Sequence, residues 1–157
     1  MAGAFIEIAA QDEQVRELLR QLAERMEDLT PAFAEIGEIV TESVQRNFEE
    51  HRAPDGTPWA PLARSTVRQK AKRGRSPKDI LIDRRILMGS IHPEAHRDHV
   101  VIGTNVVYAA VHQFGAGLRA HIATRRTFPP IPARPFLGVR EDDRPEIEDA
   151  LRAFLEA

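Results

Sequence analysis

The sequence predicts an α+β fold in which amphipathic helices at the N- and C-terminal ends pack on a small, mainly antiparallel sheet. Three observations predict it. Apolar residues recur at helical spacing at both ends of the chain, and β-rich runs are confined to the middle. No alternation of strands with helices, the pattern of a parallel sheet, is present. With 157 residues the chain suits one domain with a core of its own. Its expected parts are an N-terminal strand and helices over 4–50, a loop and basic segment over 51–91, a strand-rich part over 92–140, and a C-terminal helix over 142–156.

Residues 4–9 alternate Ile6 and Ile8 around Glu7, a short strand. From residue 12 the period changes: Val15, Leu18, Leu19, Leu22 and Met26 share one helical face, and Glu13, Arg16, Glu17, Arg20 and Glu24 lie on others. Thr30-Pro31 starts a second helix, the threonine as N-cap and the proline at the first helical position. Its apolar side carries Phe33, Ile36, Val40, Val44 and Phe48, with Gly37 among them for close packing. Neither helix can bury its stripe alone, so each implies a partner surface.

Turn chemistry dominates 53–62, where Asp55-Gly56 and three prolines surround Trp59, a large apolar anchor that ties the loop down. Residues 65–72 form a short helix capped by Ser65, followed by a polar break over 73–78. The second half of 79–91 reads as helical. Residues 99–104 make a strand, 106–114 a short buried helix stopped by Gly115, and 116–127 a projecting hairpin or loop. Phe136 begins a last short strand ending at residue 139, and Asp142 or Asp143 caps the final helix.

Composition narrows the function. Cysteine is absent, which removes disulfides, thiolate metal sites and cysteine nucleophiles. No apolar run reaches membrane-spanning length, and the first residues do not read as a signal peptide. His92, His96 and His99 lie close together, but Pro93 disfavours the helix that would align the first two for zinc; a surface cluster is the better reading. Were the segment extended, His92 and His96 would share a face and His99 would point away. Gly115-Ala116-Gly117-Leu118-Arg119-Ala120 formally matches a relaxed dinucleotide fingerprint, yet a helix rather than a strand precedes it. No nucleophile elbow or phosphate loop is present, so no catalytic set and no cofactor site can be assembled.

Charge is segregated along a chain of net charge −2. Residues 1–50 carry twelve acids and four arginines; residues 51–140 carry sixteen Lys or Arg and five acids; residues 141–157 carry seven acids and two arginines. Within the basic middle, Arg64, Arg68, Lys70, Lys72, Arg73 and Arg75 precede a second basic group, Arg125 and Arg126, as candidates to face DNA, a channel or a protein partner. No aromatic residue interleaves with the run at 64–85, which argues against base-specific binding of single strands.

Four blocks in order resemble the phage virion morphogenesis family, which includes tail-completion proteins of Mu-like phages and prophages. They are Pro54-Asp55-Gly56 with Trp59-Ala60-Pro61-Leu62; Ile80-Leu81-Ile82-Asp83 through Leu87 and Ser90-Ile91; Val101-Ile102-Gly103-Thr104 followed by Tyr108 to Gly115; and Ile131-Pro132-Ala133-Arg134-Pro135-Phe136-Leu137-Gly138. One departure is Arg85, where that family has glycine, so a turn made there by glycine must be made differently here. The resemblance implies a structural, non-enzymatic virion protein acting in tail completion and head–tail joining, made in the bacterial host cytoplasm and without a cofactor or membrane. It further implies a homo-oligomeric ring, with tail tube or terminator proteins and head-connector proteins as partners.

The residues of these blocks read as structural. Tyr108, Val111 and Phe114 are expected to pack inward. Trp59, Arg134, Pro135 and Phe136 are the candidate interface, with Arg134 expected to meet an acid, preferably across subunits. A ring requires two different complementary patches on each copy, and the acidic helices and basic middle would serve. The alternative function is non-specific DNA binding by the basic 64–85 segment.

Overall fold

A computed structural model describes residues 13–117, 119–121, 126–128 and 130–157. The expected strand at 4–9 lies outside them. Among the described residues five helices run in order as α1 (Glu13–Glu27), α2 (Thr30–Glu50), α3 (Arg64–Lys72), α4 (Ala109–Phe114) and α5 (Asp143–Glu156). Strands β1 (His92–Ala95) and β2 (Val100–Gly103) form one antiparallel hairpin, with His92 opposite Gly103 and Ala95 opposite Val100. A second antiparallel hairpin pairs β3 (Arg119–His121) with β4 (Arg126–Phe128). The fold is α+β, with the terminal helices that the apolar periodicity predicts.

Helix α2 is the spine. Ile36, Val40, Val44 and Phe48 recur every four residues and are all buried, so one stripe faces β1, β2 and α5. Gly37 on the same helix meets the hairpin rather than another helix: a Cβ there would lie 2.6 Å from Pro93 Cβ and 3.2 Å from Val100 Cγ2. The start differs in detail from expectation. Thr30 is already helical, and its N–H is satisfied by Asp28 Oδ1 at 3.0 Å. At the other end His51 turns left-handed (φ 55°), and the Arg52 N–H reaches back to the Asn47 carbonyl at 3.1 Å.

A buried carboxylate joins α5 to α2. Asp143 Oδ2 accepts the Arg140 backbone N–H at 2.7 Å, and Oδ1 accepts Arg46 Nη2 at 3.0 Å. Ala150 is buried with it, and Ile147 and Leu151 pack against the same core.

Helix α1 forms as the periodicity predicts, but none of its residues is buried. Leu18 is 58% and Met26 65% exposed. The helix is held at its C-terminal end, where Arg25 Nη1 donates to the Leu155 carbonyl at 2.9 Å and the Leu29 N–H to the Arg97 carbonyl at 3.1 Å.

Several expectations fail for identifiable reasons. The helical second half of 79–91 reduces to a 3-10 turn at Met88–Ser90, because Leu81 (φ 61°) and Arg85 (φ 56°) take left-handed conformations that interrupt a helix. Ala63, not Ser65, precedes α3. No strand forms at 136–139, because the N–H groups of Phe136 and Leu137 are claimed by the Gln113 side chain. In α4 it is Ala109 that is buried; Tyr108 and Phe114 are exposed, the latter 79%. The helix is instead turned to present His112 and Gln113 to the 131–137 segment.

Candidate functional site

The residue blocks singled out in the sequence converge on one place. Phe48 at the end of α2, Trp59 in the proline-rich loop and Phe136 pack together. Ring centroids are 5.6 Å apart for Phe48–Trp59, edge to face, and 5.1 Å for Phe48–Phe136. All three side chains are buried. A lattice of hydrogen bonds surrounds them. Trp59 Nε1–H donates to the Pro135 carbonyl at 2.7 Å, and Asn47 Nδ2–H to the Phe136 carbonyl at 3.0 Å.

From the opposite side, Gln113 clamps the same strand-like segment. Its Oε1 accepts the N–H groups of Phe136 (2.9 Å) and Leu137 (3.1 Å), while its Nε2 donates to the Leu137 carbonyl at 3.1 Å. Three polar groups of an irregular backbone are thus satisfied by one amide, which is what burial of such a segment demands.

Arg134 completes the lattice and corrects the expectation of an acid partner. Its Nε and Nη2 donate to the carbonyls of Ala60 (2.8 Å) and Pro61 (2.9 Å), within the same chain. No carboxylate lies within ion-pair distance of it among the described residues. Burial lowers its pKa from the ordinary arginine value. The Arg134 N–H in turn donates to the His112 carbonyl at 2.7 Å. Trp59, Arg134 and Phe136 therefore lie inside the subunit, and Pro135 is half-buried beside them. The indole N–H of Trp59 is taken up in fixing the proline-rich loop to the 131–138 segment.

His112 sits at the edge of this node, half-buried, with its Nδ1 lacking a partner among the described residues. Burial first, and the nearby Arg134 charge second, lower its pKa below the usual histidine value. Gly115, read from sequence only as a helix stop, has a further reason. With φ 75°, it lies where a Cβ would come within 2.9 Å of the Ala133 nitrogen, beside the bridge pairing Ala116 with Ile131. Close backbone approach explains this glycine.

Between α3 and residues 130–134 runs a groove of about 600 Å³. Leu62, Leu81, Tyr108, Ile131 and Pro132 make much of its wall, and Lys70, Arg73, His112 and Arg134 line it as well. The basic residues along its border have different roles. Lys70 Nζ donates to the carbonyls of Asp79 and Ile82, so it ties α3 to the following loop. Arg75 is paired with Asp83, whose pKa that hydrogen bond lowers. Arg64, Arg68, Lys72 and Arg73 are exposed, and none has an ion-pair partner among the described residues. Arg126 begins β4, and Arg125 lies outside the described residues.

The histidine cluster takes another form than an extended strand would give. Strand β1 ends at Ala95, and the turn closed by His96 N–H to the His99 carbonyl (2.8 Å) stacks the rings of His96 and His99 at 4.5 Å. Asp98 pairs with His99 at 2.6 Å, and His92 Nδ1 faces the Ser90 carbonyl. Among the described residues no group of three or more His, Cys, Asp or Glu is placed to hold a metal, and no helix is long and apolar enough to cross a membrane.

Sequence reasoning missed the roles of Asn47 and Gln113, and read Asp143 only as one of two candidate caps of the final helix. Asn47 carried a signal: it falls on the apolar side of α2, three residues after Val44, where a polar side chain needs a buried partner. Gln113 carried none.

Over residues 10–156 the chain matches the family model described as "Phage virion morphogenesis family". It is 34% identical to the tail completion protein S of Escherichia phage P2 over 137 residues, covering 83% of this chain and 90% of that protein. It is 30% identical to the Mu-like prophage FluMu G protein 2 of Haemophilus influenzae over 146 residues, covering 92% of this chain and 91% of the relative. No solved structure gives a significant match.

Proposed function

This chain belongs to the phage virion morphogenesis family, and we propose that it is a structural virion protein, not an enzyme, acting in tail completion and head–tail joining. It is made in the host cytoplasm and works by binding copies of itself in a ring and by contacting tail tube or terminator proteins and head-connector proteins. The observation that carries this reading is the division of labour in the fold. The motif residues are engaged in internal packing and backbone hydrogen bonds, whereas the surface offers open apolar and charged rows suited to protein partners. The name of the phage P2 relative, tail completion protein S, agrees in kind.

Deletion of the coding sequence from the phage or prophage that carries it tests the role. Electron microscopy of lysates should then show filled heads and unjoined tails; joined, infectious particles would contradict it. Sedimentation and negative-stain imaging of the purified chain test self-association, and a strict monomer at high concentration would contradict the ring.

A second reading, non-specific DNA binding through 64–85, is favoured by the exposure of Arg64, Arg68, Lys72 and Arg73. It requires an affinity for duplex DNA that falls steeply with added salt.

A further inference from the structure

Resting on the reading of a self-associating subunit, we infer that the outer face of α3 is a docking surface for the acidic face of α2 in a second copy of the chain. Arg64, Arg68 and Lys72 recur every four residues, so they form one exposed row along α3, about 12 Å long at the helical rise. Glu35, Glu38 and Glu42 are spaced three and four apart and form an exposed row of about 10 Å on α2, which Glu49 continues. Neither row has an ion-pair partner among the described residues. Two unsatisfied rows of opposite sign and similar length, on different helices of one chain, are what a head-to-tail contact requires.

A protein partner fits this surface better than DNA does. The basic row is flanked by the groove of about 600 Å³, whose lining includes Lys70 and Arg73 but also Leu62, Tyr108, Ile131 and Pro132, apolar surface that a phosphate backbone would leave uncovered. Elsewhere on the same chain α1 leaves Leu18, Leu19 and Met26 open, apolar side chains of the kind such a groove takes. The next copy therefore supplies both the acids for the basic row and apolar side chains for the groove.

Charge reversal tests the pairing with the full chain. The triple variants R64E/R68E/K72E and E35K/E38K/E42K should each keep the wild-type circular dichroism and melting behaviour. Each should weaken self-association by roughly 10- to 100-fold, since three exposed attractions become repulsions. Mixing the two variants should restore association, because each contact between unlike variants then pairs opposite rows. The chain bearing all six changes should also associate. Raising sodium chloride from about 0.1 to 0.5 M should weaken the wild type and the mixture alike. If wild type associates and the folded single-row variants associate equally well, or if mixing restores nothing, the docking surface is wrong while the assembly role stands. If the basic-row change abolishes duplex DNA binding and leaves self-association intact, the row serves DNA and the inference fails. A wild-type monomer would instead defeat the self-association reading itself.

Discussion

The indole nitrogen of Trp59 donates to the carbonyl of Pro135 at 2.7 Å across a sequence separation of 76 residues. One bond thus connects two of the family's motif blocks, and Arg134 doubles the connection by reaching back to Ala60 and Pro61. Removing either donor leaves part-buried carbonyls without that partner. Arg134→Ala should lower unfolding free energy by about 2–4 kcal/mol and Trp59→Phe by about 1–2 kcal/mol. Chemical denaturation of the two variants measures both, and an Arg134→Ala protein as stable as wild type would contradict the internal role.

Gly37 is the point where α2 and the β1–β2 hairpin touch most closely. Alanine is the better helix former by about 1 kcal/mol, yet its methyl would stand 2.6 Å from Pro93 Cβ. The proline ring is fixed in a paired strand and has little room to yield. Gly37→Ala should therefore destabilise by about 1–3 kcal/mol through overpacking, seen as a lowered melting temperature. A gain in stability would mean the hairpin shifts freely.

Arg85 occupies a left-handed conformation, φ 56°, at a position where relatives carry glycine according to the motif resemblance. The strain of an L-residue there is about 1 kcal/mol, partly offset in a glycine variant by the greater freedom of its unfolded chain. Arg85→Gly should raise stability by about 0.5 kcal/mol. Arg85→Ala, which keeps a Cβ, should gain nothing. Equal effects of the two changes in thermal unfolding would rule out backbone strain as the cause.

His112 links stability to pH. Its pKa is lowered in the fold, by burial and then by the Arg134 charge, while in the unfolded chain it returns to about 6.5. Below that pH the unfolded state binds more protons than the folded one, so this contribution to stability is complete above 6.5 and is lost as pH falls through the lower folded value. Melting curves from pH 7.5 down to 5 should show a decline that His112→Gln reduces. A decline of the same size in the variant would assign it to other groups.

The sequence by itself determined which segments become helices at the two ends. The reason is local: apolar spacing in α1, α2 and α5 is a property of neighbouring turns, readable without knowing what the helix packs against. The same holds for the strand at β2, whereas the segment carrying β3 and β4 read equally as a hairpin or a loop. Only the tertiary structure decided what those patterns meet. Identical periodicity left α1 open and buried α2, because burial depends on partners remote in sequence. Gln113 suppresses a strand at 136–139 by capturing its amides, a competition visible only once the chain is folded. The fate of Trp59, Arg134 and Phe136 turned on the same point. Their residue types suit an interface or a core equally well, and it was the carbonyls of Ala60, Pro61 and Pro135, brought near by the fold, that placed them inside.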